Sequence, residues 1–329
     1  MQKVLVTGGA GFIGHHLIEH ILKNTDWLVV CLDRLDTSGN LNRISEFLET
    51  NPSWKKRFKF LYHDLKAEIN SQLAKQIGNV SLVFHLAASS HVDRSIEDPL
   101  SFVYDNVVGS CNLFNFARNC DTIDYIQNFS TDEVFGDAPV GTAYKEWDRH
   151  MAKNPYSASK SGAEQLGIAF HNTYGLPIIT TNCMNVIGER QHPEKYLPLC
   201  IKKILAGEKI YIHSDPDKNP GTRFYVHARN VADVSLFLTK EAEAGDKYNL
   251  VGQKEVSNLE LAQMVAEILG KELNYELVDF HSSRPGHDLR YALEDTKICN
   301  MGYSYPMSFE DSLKKTIQWT IDNPKWLAE

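Results

Sequence analysis

The feature that most constrains this chain is a glycine-rich string, Gly8-Gly-Ala-Gly-Phe-Ile-Gly14, placed between a short apolar run at 3–7 and an amphipathic stretch at 12–23. In that stretch Ile13, Leu17 and Ile21 recur at i+4, as do Ile18 and Leu22, which is one stripe of a helix. A glycine string that closes a strand and opens a helix is the context in which such a motif carries meaning. Gly8 permits the tight turn, Gly11 lets a pyrophosphate approach the backbone, and Gly14 lets helix and sheet pack closely. The helix N-terminus, opening at Phe12 and Ile13, then offers free N–H groups and a positive dipole end to phosphates.

The rest of the first half continues that alternation. Runs at 27–33, 57–62, 81–87 and 124–129 are short and rich in Val, Leu, Ile or Phe, with a long helix signal at about 99–119. Strands alternating with helices predict an α/β fold with a doubly wound parallel sheet. A helix at 155–174, with Pro155 suited to its first turn, and a strand at 177–183 extend it. Residues 185–224 hold Gly188, Pro193, Pro198, Pro216, Pro220 and Gly221, a composition that predicts loops and short elements. Helix signals return at 229–241, 258–269 and 308–322. The expected division is a dinucleotide-binding domain at 1–184 plus about 225–250, and a smaller mixed α/β substrate domain at 185–224 and 251–329.

Asp33 closes the second strand signal. A carboxylate there accepts hydrogen bonds from an adenosine ribose and repels a 2′-phosphate, which favours NAD over NADP. The adjacent Arg34 has the chemistry to hold such a phosphate. Asp64, after the third strand signal, is placed either to meet the adenine or to shape a turn.

At the chemical end, Tyr156 and Lys160 form a Tyr-x-x-x-Lys pair one helical turn apart. A nearby ammonium favours the phenolate, so the expectation is a lowered tyrosine pKa and a base for a hydroxyl proton. Tyr62 and Lys66 have the same spacing and read as structural. Ser130-Thr-Asp-Glu-Val-Phe-Gly136 follows the fifth strand signal. Ser-x-x-Glu is also a helix capping box, but Gly136, Pro139 and Gly141 break any helix that would follow. Asp132 and Glu133 point to opposite faces of a continuing strand, so both reach one substrate only if the chain leaves the strand there. Adjacent carboxyls under burial split into one acid and one base, which suits loss of a hydroxide together with removal of a proton beside a ketone.

These strings resemble the extended short-chain dehydrogenase/reductase family, and within it the nucleotide-sugar 4,6-dehydratases. The likeness runs nearly end to end through GGAGFIG, Leu86-Ala-Ala-Ser-Ser-His-Val-Asp-Arg-Ser-Ile96, STDEVFG, NPYSASK, His192-Pro-Glu-Lys195 and Arg284-Pro-Gly-His-Asp-Leu-Arg-Tyr291. The resemblance implies a Rossmann-like fold and NAD held by Gly8, Gly11, Phe12, Ile13, Gly14, Asp33, Asp64, Leu65, Leu86, Ala87, Ala88, Tyr156 and Lys160. It implies that Tyr156 takes the C4 hydroxyl proton, Lys160 lowers its pKa, Thr131 bonds the C4 oxygen, Glu133 removes the C5 proton and Asp132 protonates the leaving C6 hydroxyl. Hydride passes from C4 to NAD and back to C6, giving a 4-keto-6-deoxy sugar on its nucleotide. His91, Asn185, Arg223, Asn249, Arg284 and His287 fall where the family contacts substrate and diphosphate, and a homodimer is expected through helices near 99–119 and 156–173. Their apolar residues Leu113, Phe114, Ala163 and Leu166 suit either an interface or the chain's own core. The chain departs from the dTDP-glucose enzymes at Ser89, where they carry Glu, and around Asn185 and Arg223. Epimerases and decarboxylases of the family share the glycines and the Tyr/Lys pair but usually lack the Asp. A cofactor-sensing regulator is the reading outside enzymology, and it has no need of Tyr156, Lys160 and the acids together.

Composition narrows the rest. The formal net charge is −8 and the longest basic cluster is Lys55-Lys56-Arg57, which argues against a nucleic-acid surface. The six cysteines are scattered with no Cys-x-x-Cys, which fits a reducing cytosol and neither a disulfide framework nor a zinc site. No apolar run reaches the roughly 18 residues of a membrane span, and 3–7 leads into the glycine turn with no signal-peptide pattern. His15, His16 and His20 lie on the first helix and are expected to be exposed, with no metal bound.

Overall fold

The computed structural model describes residues 2–36, 38–279 and 289–328; the expected substrate residues Arg284 and His287 lie outside them. The first half runs β1 (Lys3–Thr7), α1 (Phe12–Asn24), β2 (Leu28–Asp33), α2 (Asn42–Thr50), β3 (Phe58–Tyr62), α3 (Ser71–Ile77), β4 (Leu82–His85), α4 (Val92–Glu97), α5 (Pro99–Phe102), α6 (Gly109–Ala117), β5 (Tyr125–Thr131) and α7 (Pro155–Tyr174). The second half runs β6 (Ile178–Cys183), β7 (Asn185–Ile187), α8 (Tyr196–Ala206), β8 (Ile210–Ser214), β9 (Thr222–His227), α9 (Ala228–Glu241), β10 (Lys247–Leu250), β11 (Glu255–Ser257), α10 (Asn258–Leu269), β12 (Tyr275–Asp279), α11 (Thr296–Asn300) and α12 (Phe309–Asp322).

Seven strands form one parallel sheet in the order β10-β6-β5-β4-β1-β2-β3. β4, β5 and β6 are buried along their whole length, as expected of strands covered on both faces. On one side Val4, Val6, Leu17, Ile18, Ile21, Val231, Val234 and Leu238 join the sheet to α1 and α9. On the other, Leu5, Val30, Val83, Leu113, Phe114 and Ile126 join it to α6. Leu17 is fully buried here, so truncating it to Ala costs about 2–5 kcal/mol. The strand order reverses between β1 and β4, and the crevice beyond the carboxyl ends at such a switch point is where doubly wound sheets bind ligands.

A three-stranded sheet, β11-β9-β7, and a two-stranded one, β12-β8, make the smaller layer. Its own core holds Leu197, Ile201, Ile212, Tyr225, Leu261, Val265, Leu313 and Ile317. The region 185–224 is therefore not loop alone: it contains α8 and three strands. Pro198 falls in the first turn of α8, where no backbone donor is lost and proline is tolerated. The predicted helix at 99–119 is present but changes register, with a π-helical stretch at Val103–Val108 between α5 and α6. α2 and α3 are elements that the apolar periodicity did not reveal.

One further expectation is corrected, and one left open is decided. His15 and His16 are buried, not exposed: the α1 stripe is wider than its aliphatic residues, and α9 and the 188–190 segment cover it. His16 Nε2 lies 3.1 Å from the Glu189 carbonyl, and burial holds both imidazoles well below their usual pKa. Leu113, Phe114 and Ala163 are buried within the chain itself, whereas Leu100, Val103 and Tyr104 are exposed.

Candidate active site

The glycine turn is built as its spacing requires. Gly8 has φ +69°, and a Cβ there would lie 2.6 Å from the backbone N of Ala87. Gly11 is the N-cap of α1 and contributes no side-chain cap, and the first turn holds no acidic residue, so its N–H groups face an anion site. A Cβ on Gly14 would fall 2.3 Å from the Gly8 carbonyl oxygen, where helix and strand touch. Asp33 closes the loop: Oδ2 accepts Ala10 N–H at 2.9 Å and Oδ1 accepts Leu35 N–H at 2.8 Å. Each oxygen keeps a lone pair for a further donor. Burial raises the Asp33 pKa, and those two N–H groups oppose the rise.

Arg34 is not free for a phosphate. Its guanidinium is clamped by Asp105, with Nη1–Oδ1 2.5 Å and Nη2–Oδ2 2.8 Å, and also pairs with Asp36 and with Asp64 at 3.5 Å. A bidentate fork to a carboxylate uses the same donors a phosphate takes. Asp64 also accepts Lys66 N–H at 3.0 Å, so it both shapes a turn and lines the cavity. Tyr62 stands exposed at the end of β3.

A cavity of about 770 Å³ starts at Gly8, Gly11, Phe12, Ile13 and Gly14, passes Leu86, Ala88 and His91, and ends at Ser130, Tyr156 and Lys160. A recess of about 100 Å³ lined by Asp33, Asp64, Leu65 and Ala87 adjoins it. The volume falls within the range of small-molecule and cofactor sites, about 300–1,000 Å³. The donors, the approach left open by the glycines and the Asp33 carboxylate on the recess fit a dinucleotide.

β5 carries the next residues to the cavity's inner end. It stops at Thr131, and the chain turns through one 3₁₀ turn, Asp132–Phe135, before Gly136 at φ +79° ends it. No α-helix follows, so Ser130 and Glu133 do not form a capping box. Thr131 caps the turn instead, accepting Glu133 N–H at 3.3 Å. The turn removes the strand alternation that would have separated Asp132 from Glu133. α7 begins with a capping box between Asn154 and Ser157 and Pro155 in its first turn, which sets Tyr156 against β5.

The Thr131 hydroxyl links the groups. It donates to Asp132 Oδ1 at 3.0 Å and hydrogen-bonds with the Tyr156 phenol. Asp132 is buried, and its Oδ2 has no hydrogen-bond partner among the described residues. Burial, then the Glu133 charge, pushes Asp132 up to about 7. Glu133 Oε2 accepts Asn154 Nδ2 at 3.3 Å, with the Tyr291 hydroxyl at 3.5 Å. The expected lowering of the Tyr156 pKa is not found. Burial first and Glu133 second push the phenol up, and Lys160 Nζ donates to the Phe129 carbonyl at 2.6 Å. Burial lowers the Lys160 ammonium to about 8.

The substrate-side expectations separate. His91 lines the cavity, with Nε2 3.7 Å from Glu194, which also holds Arg94 at 2.8 Å. Asn185 is exposed on β7. Arg223 donates to the carbonyls of Thr222 and Leu289 at 2.7 Å each and lies over the Tyr291 ring, outside the cavity lining. Asn249 is buried, and its amide donates to the carbonyls of Tyr144 and Glu294, which places it in the scaffold. Sequence reasoning missed His192 and Lys195 as lining residues, although the His-Pro-Glu-Lys string was visible; it also missed Arg43, which donates to Ala10 O and Ser38 O beside the glycine turn.

Comparison with known proteins agrees with this architecture. The profile of the family described as GDP-mannose 4,6 dehydratase matches residues 5–316. A dTDP-glucose 4,6-dehydratase of Salmonella typhimurium is 36% identical, over 99% of this chain and 94% of that protein. The crystal structure of DesIV, a dTDP-glucose 4,6-dehydratase from Streptomyces venezuelae with NAD and TYD bound, is 33% identical with TM-score 0.89, covering 99% of this chain and 98% of that one. A UDP-glucose 4-epimerase of Thermus thermophilus in complex with NAD is 26% identical with TM-score 0.85, covering 96% and 98%. This chain belongs to the GDP-mannose 4,6 dehydratase family, among the nucleotide-sugar dehydratases of the extended short-chain dehydrogenase/reductases.

Proposed function

We propose that the protein is an NAD-dependent nucleotide-sugar 4,6-dehydratase that converts dTDP- or UDP-glucose to the 4-keto-6-deoxy sugar nucleotide and water. The observation that carries the reading is the buried Asp132 carboxyl, raised to about 7, next to Glu133 and joined through Thr131 to Tyr156. An epimerase needs only the oxidation site; elimination of water needs a second acid and base.

NAD, when bound at the glycine turn, supplies the hydride acceptor for C4 and the hydride donor for C6. Tyr156 removes the C4 hydroxyl proton, with the Thr131 hydroxyl in reach of the same oxygen. Lys160, one helical turn on, and the nicotinamide cation when bound would supply the positive charge that offsets the burial raising the phenol. The C4 ketone makes the C5 proton acidic. Glu133 removes it while Asp132 gives its proton to the C6 hydroxyl, which leaves as water. With hydride delivered to C6, Glu133 returns a proton to C5 and the proton taken by Tyr156 is restored to Asp132, so the sugar loses one water and NAD is unchanged over the cycle. We assign cofactor contacts to Gly8, Gly11, Phe12, Ile13, Gly14, Asp33, Asp64, Leu65, Leu86, Ala87, Ala88, Tyr156 and Lys160, and sugar-nucleotide contacts to His91, Asn185 and Arg223, whose charge acts on Asp132.

The same reading divides the chain into a cofactor domain, 1–184 with about 225–250, and a substrate domain from the remainder. It also takes the protein as a homodimer through the faces at 99–119 and 156–173, where Leu100, Val103 and Tyr104 stand exposed. The described residues contain no helix long and apolar enough to cross a membrane, and the six cysteines are unpaired; we place the enzyme in a reducing cytosol on the latter ground.

Incubation with a panel of dTDP-, UDP-, GDP- and CDP-hexoses tests the reading. The expected product has lost one water by mass. A product of unchanged mass identifies an epimerase, and no turnover of any hexose nucleotide removes the proposal.

A further inference from the structure

Behind the inner end of the cavity, one carboxylate ties together the elements that carry the chemistry. Glu164 lies on α7 one turn beyond Lys160 and is fully buried. Its Oε1 accepts the Ser130 hydroxyl and, at 2.7 Å, the Asn182 amide. Its Oε2 forms an ion pair with Lys247 Nζ at 2.9 Å and lies 3.4 Å from His150 Nε2, both outside hydrogen-bond alignment. These donors come from β5, β6, β10 and the segment ahead of α7. Asn182 Nδ2 also reaches the Thr131 carbonyl at 3.2 Å, and Lys160 holds the Phe129 carbonyl. The tip of β5 is thus gripped at Phe129, Ser130 and Thr131, the three residues before Asp132 and Glu133.

A buried carboxylate is costly to desolvate, and a well-packed apolar side chain at such a position is often neutral or stabilising. Two buried ammonium groups, Lys160 and Lys247, sit around this single anion. Packing alone gives no reason for that arrangement; holding a strand tip and a charge does.

We propose that Glu164 is a positioning residue for the reaction: its carboxylate fixes the tip of β5, from which Thr131, Asp132 and Glu133 project, and supplies the negative charge that keeps Lys160 an ammonium. The proposal rests on the dehydratase reading for its chemistry. Glu164 is the charge that opposes the lowering of Lys160 by burial. The other titratable groups around the pair are His85 on β4 and Tyr156 on α7, which neighbour Lys160, and Lys247 and His150, which neighbour Glu164.

The test compares the unsubstituted enzyme with Glu164→Gln and Glu164→Asp. Two readouts are taken against pH: kcat on the sugar nucleotide, and NAD affinity by quenching of tryptophan fluorescence. Glu164→Gln is expected to lower kcat about 30-fold or more with sugar-nucleotide KM within about threefold, because the reacting groups are misplaced and not lost. The alkaline limb of its NAD affinity moves to lower pH by about one unit, because Lys160 has lost its anion. Glu164→Asp keeps the charge and restores the limb while kcat stays reduced. Should Glu164→Gln not fold, Glu164→Gln/Lys247→Met is compared with Lys247→Met, so that loss of the Glu164 charge is still read by itself and carries the same expectation. An unshifted limb in the Gln variants, whatever happens to kcat, overturns the proposal. NAD binding decides this without sugar turnover, so failure of the substrate panel leaves the two conclusions separable.

Discussion

Asp132 takes the Thr131 hydroxyl on Oδ1 at 3.0 Å and leaves its Oδ2 buried with no hydrogen-bond partner among the described residues. A carboxyl in that setting holds its proton at a pH where ordinary aspartates have lost theirs, because burial penalises the anion. It is therefore the group able to protonate a leaving hydroxide at neutral pH.

Asp132→Asn keeps the shape and removes the proton. Turnover is expected to fall about 10²–10⁴-fold, the usual range for loss of a general acid. C4 oxidation persists, so reduced cofactor accumulates in a single turnover followed by nicotinamide absorbance. Unchanged turnover rejects Asp132 as the acid.

Tyr156→Phe removes the group that takes the C4 proton while leaving α7 and the ring packing against Phe102 in place. The expectation is a loss of similar size, about 10²–10⁴-fold, now with no reduced cofactor at all. The contrast between the two variants, read by the same absorbance, separates oxidation from elimination.

The sign of the pH dependence follows from Asp132. Its folded pKa is about 7, above the unfolded value near 3.9. The raised pKa favours folding fully below the unfolded value, and the benefit is lost as pH rises through about 7. Elimination should fall above that pH with the loss of the acid form. Asp132→Asn cannot ionise, so its Tm relative to the unsubstituted protein should rise between pH 4 and pH 8. A difference that is flat with pH contradicts the assignment.

Gly8→Ala places a Cβ 2.6 Å from Ala87 N at φ +69°. The left-handed conformation alone costs an L-residue roughly 1–2 kcal/mol, and the clash forces β1 and the Ala87 backbone apart. Calorimetry with NAD should show affinity lost by at least about tenfold, equivalent to 1.4 kcal/mol, together with a lowered Tm.

Leu100→Asp, on the exposed face before the π-helical stretch, tests the assembly. Sedimentation equilibrium should report a dimer for the unsubstituted protein and a monomer for the variant. Circular dichroism should stay unchanged, since the side chain is exposed within the chain.

The sequence by itself determined the α/β class, the glycine turn, the α1 stripe, the β5 tip and the Tyr156/Lys160 helix. Those features depend on neighbours a few residues away, through periodicity, turn stereochemistry and capping. α8 was hidden because Pro198 reads as a breaker unless it is known to lie in a first turn. Only the tertiary structure decided that His15 and His16 are buried, that Arg34 is held by Asp105, that Asn249 is scaffold and that Glu164 sits under the site. It also decided the upward shift of Tyr156: spacing brings Lys160 onto the same face, but desolvation and the Glu133 charge depend on what the fold packs around the phenol. Burial and long-range charge come from residues far apart in sequence, and a pattern along one segment carries no record of them.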